Sequence, residues 1–163
     1  MSERANKSRL AIVCGLPGAG KTTLATQLES AYGAVRCSPD EWIHALEIDI
    51  YDQPTRARIE QLQWKLAQRL LALGNNVIIE WGTWARSERD KLRLRARELG
   101  AAVELHYLNA PEDVLFERIS RRRMENPPIT REALASWVKL FQAPDEEEMA
   151  LFDRPLLLRP ERL

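Results

Sequence analysis

Gly15-Leu16-Pro17-Gly18-Ala19-Gly20-Lys21-Thr22-Thr23 spells G-x-x-x-x-G-K-T, a loop that wraps backbone N–H groups around phosphate. Its flanks agree with that reading. Leu10-Ala11-Ile12-Val13-Cys14 before it is a short apolar run with two β-branched residues, as a buried parallel strand requires. After it, Leu24, Ala25 and Leu28 share one face of a helix. Glycine at 15, 18 and 20 lets the chain bend with no Cβ in the way. The N–H groups at the positive end of the helix form an anion cradle. Lys21 is expected to reach the β- and γ-phosphates, and the Thr22 hydroxyl to ligate the Mg²⁺ that bridges them. Thr23 is expected to touch the α-phosphate. The expected triphosphate site is thus Gly15, Pro17, Gly18, Ala19, Gly20, Lys21, Thr22 and Thr23. A glycine-rich turn that happens to share the spelling is the bland alternative. The strand before it and the helix after it weigh against that. The loop alone does not separate hydrolysis, transfer and simple binding.

A chain of 163 residues suits one domain, taken here as residues 1–163, with room for its own core. Charged residues are 29% of it and cancel to zero, which removes any case for nucleic-acid or membrane binding from net charge. Five of the 24 basic residues are Lys and the rest Arg. Arginine is the better planar phosphate clamp, although GC-rich coding would produce the same bias. Cys14 and Cys37 each end an apolar stretch and read as small buried hydrophobes in a reducing compartment. No apolar run approaches a membrane span and the first nine residues are polar. A cytoplasmic setting is expected, with no membrane association and no obligate protein partner.

Strand and helix signals alternate along the chain. Ala34–Cys37 reads as a second strand, and Ser38-Pro39 as the cap and first turn of a helix to about Leu46. A connection over 47–54 leads to a long helix, Thr55 to Leu73, closed by Gly74. Val77-Ile78-Ile79 is a third strand. Ser87 caps a basic helix to Leu99, and Val103–Leu108 is a fourth strand. Pro111 opens a helix to Arg123, Pro127-Pro128 breaks the chain, and Thr130 caps a helix to Phe141. Leu156-Leu157-Leu158 reads as a short edge strand between prolines. Such alternation builds a parallel sheet covered by helices on both faces, with ligands beyond the carboxyl ends of the strands.

Three strand-end segments should therefore share a cleft. Besides the glycine-rich loop these are Ser38-Pro39-Asp40-Glu41-Trp42 and Glu80-Trp81-Gly82-Thr83-Trp84. Asp40 is the candidate general base, since phosphoryl transfer to an alcohol needs a carboxylate at the acceptor oxygen. Complementing a helix N-terminus is the competing role for Asp40 and Glu41. Glu80 is a candidate to support Mg²⁺ or the acceptor, or simply to pair with an arginine. Arg118, Arg121 and Arg122 fall at i, i+3 and i+4, on one helical face. As a mobile flap they would close over the triphosphate and stabilise the transferring group, while a solvated basic helix end is the alternative. The lid is expected over about residues 118–130. Arg86, Arg89, Arg93 and Arg97 read mainly as an exposed basic face, with Arg86 and Arg89 placed to meet an anionic acceptor. Trp42, Trp81 and Trp84 are candidates for base or sugar stacking, with core packing as the commoner fate. Trp64 and Trp137 read as core, and His44 and His106 lack metal-ligand partners at suitable spacing.

These segments together resemble the small P-loop kinases related to bacterial polynucleotide kinases, zeta toxins and chloramphenicol phosphotransferase. Most similar is the group of AAA-type ATP-binding predicted kinases. The likeness rests on Gly15–Thr23, on Ser38-Pro39-Asp40-Glu41-Trp42, and on Asn76-Val77-Ile78-Ile79-Glu80-Trp81-Gly82 with Arg86-Ser87-Glu88-Arg89. A fourth segment, Phe141-Gln142-Ala143-Pro144-Asp145-Glu146-Glu147-Glu148, completes it. The resemblance implies a P-loop three-layer α/β sandwich, a five-stranded parallel sheet ordered 2-3-1-4-5, and an Arg-rich lid. It implies ATP and Mg²⁺ as cofactors, Asp40 acting on the acceptor hydroxyl, and one of Arg118, Arg121 or Arg122 as the lid arginine. Catalytic roles are assigned on this basis to Lys21, Asp40, Arg118 and Arg122, nucleotide contact to Arg121, and metal contact to Thr22 and Glu80. Polynucleotide kinases carry an arginine shortly after the aspartate, whereas Trp42, Ile43 and His44 follow here, and Glu80 replaces the usual aspartate.

The expected activity is ATP-dependent transfer of the γ-phosphate to a hydroxyl of a nucleic-acid end, nucleoside, sugar or antibiotic. A nucleotide switch or ATPase working through a protein partner is the second reading. Asn109-Ala110-Pro111-Glu112 after the fourth strand is not the N-K-x-D that reads guanine. An adapter that binds triphosphate without chemistry would not need Asp40, Glu80 and the arginine-rich helix together.

Overall fold

The computed structural model describes residues 7–156. Four parallel strands, β1 (Arg9–Cys14), β2 (Val35–Cys37), β3 (Val77–Ile79) and β4 (Ala102–Tyr107), lie in the order β2-β3-β1-β4. The central strand β1 pairs on both edges, with Ala11 opposite Ile78 on one side and Glu104 on the other. Both faces of a strand so placed are covered, which is why its apolar run is unbroken. Side chains alternate between the faces. Leu10, Ile12 and Cys14 join Val77, Ile79, Val103 and Leu105 in one core, and Ala11 and Val13 join Ile78 in another.

Seven helices accompany the described strands: α1 (Lys21–Tyr32), α2 (Pro39–Ala45), α3 (Gln53–Ala72), α4 (Arg86–Glu98), α5 (Glu112–Arg122), α6 (Arg131–Leu140) and α7 (Glu146–Met149). Ala25 and Leu28 of α1 cover the face of Ala11 and Val13. Ala67 and Leu71 of α3, with Leu92 and Ala96 of α4, cover the opposite face. Burying each such Leu is worth about 2 kcal/mol. A third cluster joins Leu16 and Ala19 of the glycine-rich loop to Leu115 and Ile119 of α5 and Leu134 of α6. The loop is thereby packed on α5 and α6, the helices on either side of the segment expected to be a lid.

The expected five-strand sheet is corrected to four strands among the described residues. Of the expected edge strand, Leu156 is an exposed bend whose N–H donates to Glu104 Oε1 at 3.1 Å, and Leu157 and Leu158 lie outside the described residues. Helix starts also move. α3 begins at Gln53 rather than Thr55, capped by Asp52, whose Oδ1 accepts from Thr55 N–H at 3.0 Å. At α4 the cap position is Ala85 rather than Ser87, and the Glu88 carboxylate reaches back to the Ala85 N–H at 3.0 Å. The short α7 was not expected at all.

The expected exposed basic face of α4 is a larger correction. Arg89 is 0% exposed. Its Nε and Nη2 grip Glu148 of α7 at 2.6 and 2.9 Å. Nη1 donates to the carbonyls of Thr83 (2.8 Å) and Trp84 (3.3 Å), and Nη2 also to that of Gln142 (2.7 Å). A guanidinium is expensive to bury, and it is tolerated here because every nitrogen has a partner. Its reward is positional. It fastens the loop after β3 to the segment 141–148, which also meets that loop through Gln142 N–H to Trp84 O at 3.0 Å. Thr83 in that loop has φ 38, an uncommon region for a β-branched residue. Arg93 and Arg97 are paired too, with Asp90 (2.9 Å) and Asp153 (2.6 Å).

A second buried charge lies at Glu104 on β4, fully enclosed. Arg9 Nη1 (2.6 Å), Tyr32 Oη (2.9 Å), His106 Nε2 (2.8 Å) and the Leu156 N–H surround it. Burial pushes its carboxyl upward, but His106, Leu156 and Tyr32 more than offset this and hold it below the ordinary range. Glu104 therefore favours folding above the usual carboxylate pKa and loses that contribution as the pH falls.

Glu148→Ala should strand the Arg89 guanidinium in the interior. The expected loss is about 3–5 kcal/mol of unfolding free energy, read as a lower denaturant midpoint with little change in slope. A loss below about 1 kcal/mol would mean that water reaches Arg89.

Candidate functional site

The carboxyl end of β1 feeds a loop whose shape depends on missing side chains. A Cβ at Gly15 would lie 2.7 Å from the carbonyl oxygen of Leu108, and one at Gly18 would lie 2.8 Å from that of Leu115. Gly18 also has φ +80 and Gly20, the residue that precedes α1, has φ +96. Both values favour glycine. The loop is thus pressed against the start of the β4–α5 connection and against α5 itself. Thr22 and Thr23 are exposed in the first turn of α1.

Lys21 folds back over this loop, donating to the carbonyls of Gly15 at 2.9 Å and Leu16 at 3.0 Å. Burial pulls its pKa down to about 8. The charges that modulate it, in order of weight, are Asp40, Arg122 and Glu80, the carboxylates raising the pKa and the arginine lowering it further. The field at one ammonium therefore registers residues from the second strand end, the third strand end and the lid helix.

Glu80, at the end of β3, is 7% exposed. Its Oε1 accepts from Arg36 Nη1 at 3.0 Å, and its buried Oε2 has no hydrogen-bond partner among the described residues. Burial raises its pKa, the neighbouring Ser38 hydroxyl and Arg36 oppose this, and Glu41 and Asp40 add to the rise. Arg36 of β2 is shared with Glu29 and Glu41, so three carboxylates fix one guanidinium. A buried carboxylate oxygen without a donor is a suitable acceptor for a magnesium ion or for one of its waters. With the exposed Thr22 it matches the donor set expected for Mg²⁺, an ion bound through few protein oxygens plus substrate phosphates. Among the described residues no three His, Cys, Asp or Glu gather as a self-contained metal cage.

Asp40 stands in α2, one residue after Pro39, within the helix expected from Ser38-Pro39. Its side chain is 59% exposed and accepts from Arg56 Nη1 at 2.6 Å. Of the three lid arginines, Arg118 donates to the Gly18 carbonyl at 3.2 Å. Arg121 pairs with Glu117 and Arg122 with Glu125. The shared face expected of them therefore divides, with Arg118 on the phosphate loop, Arg122 within the field of Lys21, and Arg121 engaged along its own helix. The tryptophans divide as well. Trp81 belongs to the core and Trp84 packs on Trp137 and Phe141 at 6.0 and 6.5 Å between ring centroids. Trp42, two residues after Asp40 in α2, remains 39% exposed. Cys14 and Cys37 are buried free thiols, both pushed up to about 11 by burial.

Two residues with evident roles were not expected from the sequence, Arg36 and Arg56. Their roles come from one longer-range partner each, Glu80 for Arg36 and Asp40 for Arg56. Alternation within the short β2 was the available signal for Arg36, and the spacing of Arg56 and Glu60 on one face was the signal for Arg56.

A parallel sheet, a glycine-rich loop gripped by its own lysine and an arginine-bearing helix against that loop define a P-loop protein of the kinase-like kind. Residues 10–144 match the AAA domain family AAA_33, and the chain belongs to that family. It is similar to the uncharacterized protein Rv2004c of Mycobacterium tuberculosis (strain ATCC 25618 / H37Rv), 30% identical over 145 residues. The match covers 78% of this chain and 28% of that protein, so this chain corresponds to under a third of the curated relative's length. Among solved structures, a chain of the Pnkp1/Rnl/Hen1 RNA repair complex aligns with TM-score 0.71 and 23% identity, over 96% of this chain and 50% of that one. A gluconokinase from Sinorhizobium meliloti 1021 aligns with TM-score 0.57 and 21% identity, over 89% and 80%. These likenesses establish a fold common to small P-loop kinases. No described helix is long and apolar enough to cross a membrane.

The lowered pKa of Lys21 carries a pH consequence. Below about pH 8 the free protein already holds the ammonium proton; above it the proton must be taken up when a triphosphate binds. Nucleotide affinity should be flat below about pH 8 and fall by up to roughly tenfold per unit above it. Calorimetry in two buffers of different ionisation enthalpy should show proton uptake at about pH 9 and almost none at about pH 7, and Lys21→Ala should abolish the difference.

Proposed function

We propose that the chain transfers the γ-phosphate of ATP to a hydroxyl of a nucleic-acid end, nucleoside, sugar or antibiotic, acting as one P-loop kinase domain with its lid over about residues 118–130. The observation that carries this reading is the geometry of the glycine-rich loop: no Cβ fits at Gly15 or Gly18, Lys21 lies on the Gly15 and Leu16 carbonyls, and Arg118 lies on the Gly18 carbonyl.

In this reading the backbone N–H groups of the loop receive the β- and γ-phosphates, and Lys21 exchanges the carbonyls of Gly15 and Leu16 for phosphate oxygens. Thr22 and Glu80 would hold Mg²⁺, directly or through water, and the ion would supply positive charge against the phosphates. Arg118 leaves the Gly18 carbonyl for the transferring group, joined by Arg122, with Arg121 closing on the nucleotide. Asp40 orients the acceptor alcohol. The alcohol oxygen bonds to the γ-phosphorus as the bond from that phosphorus to the β-bridging oxygen breaks. The alcohol proton passes to Asp40 and ADP departs. The exposed Trp42 offers an aromatic wall for the acceptor, and a reducing cytoplasm is the proposed setting for its unpaired thiols.

The test uses γ-labelled ATP and Mg²⁺ against oligonucleotides, nucleosides, sugars and aminoglycosides, with a control lacking acceptor. Label on one acceptor class is expected; free phosphate alone would replace transfer by hydrolysis. Lys21→Ala should abolish transfer and weaken ATP binding. Asp40→Asn should lower turnover by about 10²–10⁴-fold with ATP affinity nearly intact, and a collapse of ATP affinity would make Asp40 a binding residue. Truncating Arg118, Arg121 and Arg122 together should reduce turnover more than nucleotide affinity, and unchanged kinetics would assign them to a solvated helix end.

A further inference from the structure

The carboxylate of Asp40 is held from outside its own helix. Arg56, in the first turns of α3, donates Nη1–H to Asp40 Oδ1 at 2.6 Å, while its Nε lies 3.3 Å from Glu60 Oε1 one turn on. Arg56 is 22% exposed. Among the described residues only Oδ1 of Asp40 accepts a hydrogen bond, which leaves Oδ2 open.

The element that presents Arg56 is itself pinned. Asp52 accepts from both the N–H and the hydroxyl of Thr55, at 3.0 and 2.6 Å, and so fixes the first turn of α3. Gln63, fully buried, donates from its side-chain amide to the Ser38 carbonyl at 3.0 Å, immediately before α2. Arg56, Glu60 and Gln63 follow at i, i+4 and i+7, so one face of α3 meets the start of α2. The pair Arg56–Asp40 thus belongs to a built junction.

An ion pair this exposed on its acidic side contributes little to stability. What it does is select one orientation of a short side chain on a solvent-facing helix. Phosphoryl transfer depends on such placement, because a misplacement of about 1 Å costs roughly a hundredfold in rate. An arginine beside a candidate base also invites a second reading, that it receives an anionic group of the acceptor. Its surroundings speak against that, since Asp40 and Glu60 already supply two carboxylates to the one guanidinium.

We propose that Arg56 is a positioning residue for phosphoryl transfer, locking Asp40 through Oδ1 so that Oδ2 meets the incoming hydroxyl. This rests on the role of Asp40 given above. The position acts on whatever oxygen sits at Oδ2, water included, and does not require an anion on the acceptor.

The test compares Arg56→Gln, Arg56→Lys, Asp40→Asn and the Asp40→Asn/Arg56→Gln double variant in the full chain. Three readouts are taken: transfer of γ-label to the acceptor found in the screen, release of labelled phosphate from ATP with water as acceptor, and ATP affinity by calorimetry. Arg56→Gln should lower kcat roughly tenfold to a hundredfold with both acceptors, leaving ATP affinity and the thermal midpoint unchanged. Arg56→Lys should recover part of the loss, and the double variant should be no slower than Asp40→Asn, because the two residues act as a unit. A raised acceptor KM with kcat and phosphate release unchanged would make Arg56 an anion receptor and overturn the proposal. So would wild-type kinetics in Arg56→Gln. Wild-type rates in Asp40→Asn, or a wild-type chain that transfers to nothing, water included, would instead sink the parent reading.

Discussion

A Cβ on Gly18 would come within 2.8 Å of the Leu115 carbonyl, and this lack of clearance sets the relation of the phosphate loop to everything around it. The loop can approach α5 closely only where glycine stands. Close approach then lets Leu16 and Ala19 share a core with Leu115, Ile119 and Leu134. It also brings Arg118 against the Gly18 carbonyl and Arg122 into the field of Lys21. The glycine-rich loop and α5 are in effect one packing unit. Side chains elsewhere in the site are oriented toward that unit by arginines placed one layer back.

Those arginines work by a common device. Arg36 occupies one oxygen of Glu80, Arg56 occupies one oxygen of Asp40, and in each case the other oxygen accepts no hydrogen bond among the described residues. Arg89 uses the same chemistry for a different end, holding carbonyls of the loop after β3 instead of a carboxylate that faces the cleft. Guanidinium suits all three because its donors are fixed in a plane and its charge does not depend on pH. The excess of arginine over lysine therefore has a structural use here beyond any phosphate contact.

Much of the frame was legible in the sequence because it depends on local patterns. The apolar run of β1, the glycine spacing and the alternation of strand and helix signals led to a parallel α/β sheet, and the family resemblance implied the order whose first four strands are β2-β3-β1-β4. Lys21, Asp40 and Glu80 were picked out as candidates because they lie at or just after strand ends. What stayed hidden depends on partners far apart in sequence. Arg89 sits at helical spacing among other arginines, and nothing local distinguishes it from its half-buried neighbours Arg86, Arg93 and Arg97, since Glu148 reaches it only through tertiary folding. Four-residue α7 is too short for a period to show. Trp81 and Trp84 both follow β3, but the turn at Gly82 and Thr83 sends one to the sheet core and the other to the aromatic cluster with Trp137. Arg118, Arg121 and Arg122 share a helix face by spacing, but their partners differ, Glu117 taking Arg121 and Glu125 taking Arg122.

The tie between Arg89 and Glu148 also orders events in time. The loop after β3 receives its lock from a residue 59 positions downstream, so an emerging polypeptide that has already made its nucleotide cradle still lacks the brace for that loop. Until the acidic turn around Glu148 has left the ribosome, the cleft is without one wall's anchor. During synthesis the phosphate loop is thus complete well before the loop after β3 can be held in its final shape.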